Sequence, residues 1–197
     1  MPTIQQLRDD IASVKGALLL AGVSRKTLNA IETKAQKTQR RTTGLHQTNR
    51  DKRWTRRRDD PQYATEKNCL MVHLRLLGMM CEFRDAPTLP DLERAIVVRY
   101  IGHEPVPGSY RDALTLEVLD YPEFADEAIN GSHGESGFHI GHEDPTLVPK
   151  HVPGNISWRK KRSNLIQGNM TLRESRTALI ELIARYFELG EVTVTPE

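Results

Sequence analysis

The chain has 197 residues, of which 38% are hydrophobic and 27% charged, with a formal net charge of +2. Such a chain can bury one sizeable core and is expected to be globular with polar extensions. Two cysteines, Cys69 and Cys81, exclude a disulfide framework, and both read as small buried hydrophobes.

In chain order, Leu7, Ile11, Val14, Leu18 and Ala21 recur at helical spacing, so residues 3–21 read as an amphipathic helix. The apolar run "GALLLAGV" is too short to span a bilayer and no basic-then-apolar leader opens the chain, which makes a reducing cytoplasm the expected setting. Ser24 is placed to cap a second helix. The resulting hairpin suits DNA contact, dimerisation or support of the core, and it carries no helix-turn-helix signature.

The net charge hides an uneven distribution. Between Lys34 and Arg58 there are ten Lys or Arg against one acid, Asp51. A block of this kind fits phosphate contact, where each cation releases a counterion, and it also fits a basic linker without a partner. Arg53, Arg56, Arg57 and Arg58 are the candidate contacts, with Trp54 either stacking on a base or anchoring the arm to its own core. The expected organisation is a helical hairpin and basic arm over residues 1–60, a helical core over 61–130, and a final unit over 131–197.

Beyond Pro61, residues 62–82 carry Leu70, Leu74, Leu77 and Met80 and predict a buried helix. Pro87 and Pro90 break the chain before a short helix over 91–101, and "GHEPVPGS" reads as a loop. Residues 110–130 mix strand and helix signals without a clear order. Near the end, Thr171 and Glu174 match a capping box, followed by a helix lined by Leu179, Ile183 and Phe187 that stops at Gly190, with "EVTVT" as a candidate strand. His46, His73 and His103 have no ligand-like neighbours, and no P-loop, dinucleotide glycine motif or GxSxG elbow occurs.

Residues 137–170 read as strand, long loop, strand and helix: "GFHIGH", "EDPTLVPKHVPG", "NISW", and a helix from about Arg159. Within them Asn155 follows His142 by thirteen residues and Asn164 follows Asn155 by nine, with Pro145 three residues after His142. Asn155 and Asn164 frame the cluster Arg159, Lys160, Lys161 and Arg162, and Gln167-Gly168 closes the stretch.

This order and spacing resembles the HNH nucleases, whose fold is the ββα-metal finger. The resemblance is local, confined to this stretch. It implies an α+β fold, a mostly helical body with one ββα-metal (HNH-type) finger, and a metal-dependent endonuclease acting on double-stranded DNA. It also implies the roles. His142 would be the general base, neutral at cellular pH because an unperturbed imidazole titrates near ~6.5. Asn155 would hold His142 through a hydrogen bond, and Asn164 would offer its carboxamide oxygen to a hard divalent cation, Mg²⁺ first, with Mn²⁺ or another transition metal as alternatives. Arg159, Lys160, Lys161 and Arg162 would contact phosphates.

One departure stands out, because Gly141 occupies the place of the family's metal-binding Asp. His139, two residues back on the same strand face, is the expected substitute ligand, with His133, Glu135, Glu143 and Asp144 as further candidates. The resemblance suits a compact restriction enzyme, or a phage or mobile-element nuclease, with room for a homodimer interface and no membrane association. Gly141 keeps open a second reading, a non-catalytic nucleic-acid-binding protein with a degenerate finger.

Overall fold

The fold opens on two helices in the computed structural model, which describes residues 1–39, 50–130 and 136–193. Helix α1 (Ile4–Leu20) starts at a capping box in which Thr3 and Gln6 satisfy each other's backbone N–H groups. It buries Leu7, Ile11, Val14 and Leu18 against the helices that follow. Helix α2 (Arg25–Gln36) is capped by Ser24, whose hydroxyl accepts from the Thr27 N–H. Strands β1 (Lys37–Gln39) and β2 (Arg50–Lys52) then pair antiparallel. His46 lies outside the described residues, as do His133 and Glu135.

Helix α3 (Glu66–Met80) is the centre of the body. It begins at Thr65, whose hydroxyl takes the Asn68 N–H, rather than at Pro61. Apolar residues surround it on nearly all sides because α1, α2 and helix α4 (Asp91–Ile101) pack on different faces of it. At Gly78 an added Cβ would lie 2.5 Å from Val97 and 2.8 Å from Ile101, so the missing side chain sets how closely α4 approaches. Residues 102–120 run as irregular chain with two isolated bridges, and helix α5 (Tyr121–Asn130) follows.

A second antiparallel hairpin, β3 (Phe138–His142) and β4 (Ile156–Lys160), leads directly into helix α6 (Lys161–Gln167) and then α7 (Leu172–Glu188). The strand runs two residues further than the sequence suggests, so Arg159 and Lys160 belong to β4 and the helix begins at Lys161. Residues 191–193 form no strand, and 194–197 lie outside the described residues.

Among the described residues this is a mostly helical α+β body with two small hairpins. One hydrophobic cluster runs from Leu7 to Trp158, so the second hairpin is part of the main core. Phe83, Phe124, Phe138 and Trp158 meet edge-on or stacked at centroid distances of 5.0 to 6.3 Å. The buried indole N–H of Trp158 donates to the Leu76 carbonyl of α3 at 3.0 Å, which satisfies the one polar atom that burial would otherwise strand. No helix among the described residues is long and apolar enough to cross a membrane.

Candidate active site at the second hairpin

The register of the hairpin assigns its two faces. Phe138 pairs with Lys160, Ile140 with Trp158, and His142 with Ile156; of these, Phe138, Ile156 and Trp158 belong to the hydrophobic core and Ile140 packs against it. His139 pairs with Arg159 and Gly141 with Ser157 on the opposite face. Alternation therefore separates His142 from His139, which is three positions away.

His142 stands at the last position of β3, where the apolar face runs out. Its Nε2 is buried with no hydrogen-bond partner. Burial is the main cause that pushes its imidazole down to about 4, with Lys150 and Arg53 adding repulsion. The ring is thus neutral at ordinary pH and carries a free lone pair or N–H. The ring of His151 lies 6.3 Å away between centroids. His151 is 1% exposed, donates from Nε2 to the Ala35 carbonyl at 2.7 Å, and leaves Nδ1 unpartnered. Burial lowers His151 too, to about 3.

Asn155 does not bond His142, which corrects the expectation for it. Its carboxamide oxygen accepts the Asp144 N–H at 2.7 Å, and its Nδ2 donates to the carbonyls of Asp144 and Lys150 at 2.7 and 2.8 Å. Three bonds from one buried side chain clasp the loop between the strands. Asn155 thus fixes the loop that follows His142 and carries His151. Gln167 completes the clamp by donating to the His142 carbonyl at 2.7 Å and to Met170 at 3.0 Å.

The opposite face is a buried charge network. Arg159 has no exposed surface; it donates to Ser157 at 2.9 Å and to Glu143 at 3.1 Å, with Asp112 at 3.9 Å. Asp112 in turn accepts the Lys160 N–H and the Ser163 hydroxyl, which ties β4 and α6 to the irregular segment. An added Cβ at Gly141 would come within 2.5 Å of the Arg159 Cγ and 2.8 Å of its Nε. The place of a side chain at 141 is therefore filled by Arg159.

His139 and Asn164 do meet, with Nδ1 and Nδ2 at 3.4 Å. Burial is the main cause that lowers His139, aided by Lys34. Among the described residues no group of three or more His, Cys, Asp or Glu could hold a metal ion. The donor set is a pair, one imidazole and one carboxamide that presents oxygen when its amide is turned. A divalent cation fits there only with water and substrate oxygens completing its shell.

The candidate phosphate contacts divide sharply. Arg159 is wholly buried and Lys160 is engaged by Glu123, so neither is a free cation of a solvated cluster. Lys161 is half-buried and Arg162 exposed at the start of α6. Arg53 is also corrected: it is 7% exposed, donates to Gln62 at 3.0 Å, and sits close enough to His142 and His151 to repel their protons. Trp54 is half-buried with the Lys52 ammonium 4.8 Å from its ring, Arg56 pairs with Asp60, and Arg57 pairs with Asp59. Arg58 is exposed and lines a groove of about 180 Å³ with Tyr63, Pro145, Val148 and Lys150, so the end of the basic stretch adjoins the loop clasped by Asn155.

Sequence reasoning missed His151, the bonds Gln167 makes to the His142 and Met170 carbonyls, and the buried role of Arg53. The one available signal was the position of His151 four residues before Asn155. Comparisons with known proteins add a likeness of fold. No family model and no curated protein matches the chain. Among solved structures it is similar to the crystal structure of a type II restriction endonuclease, with a TM-score of 0.54 and 20% identity over 65% of this chain and 55% of that one. The matched region is thus little more than half of that structure's length.

Proposed function

We propose that the chain is a DNA endonuclease of HNH type that hydrolyses phosphodiester bonds in double-stranded DNA around His142. The observation that carries this reading is the strand–loop–strand–helix unit in which His142 ends the first strand with an unpartnered, neutral imidazole while Asn155 clasps the loop behind it. The fold likeness to a restriction endonuclease supports it, and restriction is the favoured biological role.

In this mechanism His142 takes the proton of the attacking water; burial lowers its pKa, which keeps the imidazole in the proton-accepting form and makes it a weaker base. Gln167 holds the His142 carbonyl and Asn155 holds the loop that follows it. Lys161 and Arg162 meet the DNA backbone at the start of α6. His139 and Asn164 are the pair that would hold a divalent ion, Mg²⁺ or Mn²⁺, with the Lewis-acid chemistry it would supply, but they lie on the side of the hairpin opposite to His142, so no step beside His142 is routed through it.

The second reading is a DNA-binding protein without catalysis. It is favoured by Arg159 filling the space at Gly141, which leaves no carboxylate there. Supercoiled plasmid incubated with the protein in Mg²⁺, Mn²⁺ or EDTA separates the two. Nicked or linear product in metal and intact plasmid in EDTA is the expected result. A gel shift with no cleavage in any metal overturns the nuclease and leaves the binder.

A further inference from the structure

Two turns from distant parts of the chain wall the groove beside the loop that follows His142. On one wall the Asp60 carboxylate accepts the Gln62 N–H at 2.7 Å, and the Tyr63 N–H donates to the Asp60 carbonyl at 2.8 Å. On the other, Asp144 accepts the Thr146 N–H at 2.8 Å, and Asn155 holds the Asp144 and Lys150 carbonyls at the two ends of the loop. Each wall is shaped by its own hydrogen bonds, so the groove is preformed.

The lining selects what enters. Tyr63 contributes an aromatic ring, and Pro145 and Val148 contribute apolar surface. Val148 is 92% exposed at the tip of a loop that is otherwise tied down. Arg58 and Lys150 add two cations, and among the described residues neither side chain has an ion-pair partner. The Asp60 carboxylate on the lining is already engaged by Arg56 at 3.3 Å. Aromatic and apolar walls with unpaired positive charge fit a planar ring that carries an anion, the chemistry of a nucleotide. At about 180 Å³ the groove is smaller than the roughly 300–1,000 Å³ of sites for drug-sized ligands, and it admits one ring system rather than a duplex.

Lys150 joins this groove to the candidate base. Its ammonium is one of the charges that lower the His142 imidazole, so the two lie within electrostatic reach of each other. A phosphate held by Lys150 is within the same reach of His142.

We propose that the groove binds one nucleotide of the DNA, its base turned out of the stack against Tyr63 and its phosphate on Lys150 and Arg58. The inference takes its ligand from the nuclease reading and rests on it there, whereas the capacity of the groove for a nucleotide does not depend on cleavage. Unstacking is least costly where a base is weakly paired or stacked, so the groove adds selectivity beyond contacts to base edges.

NMR on the full chain, labelled at tyrosine rings and valine methyls and kept in EDTA, tests the site. The probes are the four deoxynucleoside 5′-monophosphates, each titrated singly, and inorganic phosphate. At least one nucleotide should shift Tyr63 and Val148 saturably at millimolar concentration and bind about tenfold more tightly than inorganic phosphate, a margin that a stacked base supplies. Tyr63→Leu should abolish that margin and leave phosphate binding intact, Tyr63→Phe should keep it, and Lys150→Gln should weaken both ligands. A short DNA duplex added afterwards should displace the nucleotide. Unmoved Tyr63 and Val148 signals with all four nucleotides overturn the proposal, as do equal affinities for nucleotide and phosphate or a margin that survives Tyr63→Leu. Failure of the duplex to displace the nucleotide gives the groove to a free nucleotide and overturns its assignment to DNA. Nucleotide binding and displacement in a protein that never cleaves plasmid uphold the groove and overturn the nuclease reading alone.

Discussion

The two faces of the β3–β4 hairpin are built from the same ten residues and solve opposite problems. Towards α3, Phe138, Ile156 and Trp158 bury carbon against carbon, and the one polar atom of Trp158 finds a carbonyl. Towards α6, His139, Ser157 and Arg159 bury charge, which is tolerable only because Glu143, Ser157 and Asp112 surround the guanidinium. The candidate base belongs to the first face but stands at its end. His142 inherits enough apolar surroundings to stay neutral and too few partners to be satisfied. In the proposed reading, reactivity would come from the edge of a packed face, with the buried charges on the other side holding that edge in place.

The largest expected effect breaks the edge alone. His142→Ala should reduce plasmid cleavage by about 10²–10⁴-fold, the usual contribution of a general base, while DNA affinity changes by no more than a few-fold. Cleavage within a few-fold of wild type would remove His142 from the mechanism and with it the asymmetry between the strand's middle and its end. Arg159→Ala strikes the other face. It strands the Glu143 and Asp112 carboxylates and should cost about 3–5 kcal/mol in urea unfolding, as removing one partner of a buried pair does. A loss under about 1 kcal/mol would mean that water already reaches the network and that the two faces do not differ in kind.

Acid sharpens the comparison on the histidine side. His73 and His151 are buried and held neutral, to about 4 and about 3 respectively, chiefly by burial. Their folded values lie below the unfolded value near ~6.5, so their contribution is fully present above that pH and is lost as pH falls towards the folded values. Each costs up to about 1.4 kcal/mol per pH unit in that window. Urea midpoints measured from pH 7 to pH 4.5 should therefore fall, and the fall should shrink in a His73→Gln variant, where Gln keeps a polar group beside Gln36. An identical pH slope in that variant would show that His73 titrates normally.

Much of the helical body was legible because caps and periodicity are local. Thr171 with Glu174, Ser24, and the repeat of Leu7, Ile11, Val14 and Leu18 each bounded or oriented a helix that the structure contains. The hairpin strands were legible from the same stretch of sequence. The fate of the basic quartet was not. Which of four consecutive cations is buried depends on where β4 ends, and two more residues of strand turn Arg159 inward and leave Arg162 outside. His151 was hidden for a different reason: its significance arises when the fold brings it beside His142 and brings Arg53, from far earlier in the chain, near enough to repel a proton on both. Gly141 reads in sequence as a missing ligand, and in space as room for Arg159.

The smallest expected effect tests that division of the cations at the surface. Arg162 is exposed at the start of α6, whereas Lys160, two residues earlier, is engaged by Glu123 and lies over the Phe138 ring at 4.2 Å. An exposed cation that touches a phosphate contributes about 0.9 to the slope of log affinity against log salt, and a cation already neutralised within the fold releases no counterion. Arg162→Ala should therefore flatten the salt dependence of duplex binding by about that amount, whatever the DNA sequence. Lys160→Ala should leave the slope unchanged and lower stability by no more than ~1 kcal/mol, since a partly exposed ion pair is worth little. Measured on a duplex of fixed length from 50 to 200 mM salt, equal slopes for both variants would show that exposure does not sort these cations, and the DNA-facing surface would have to lie elsewhere on the body.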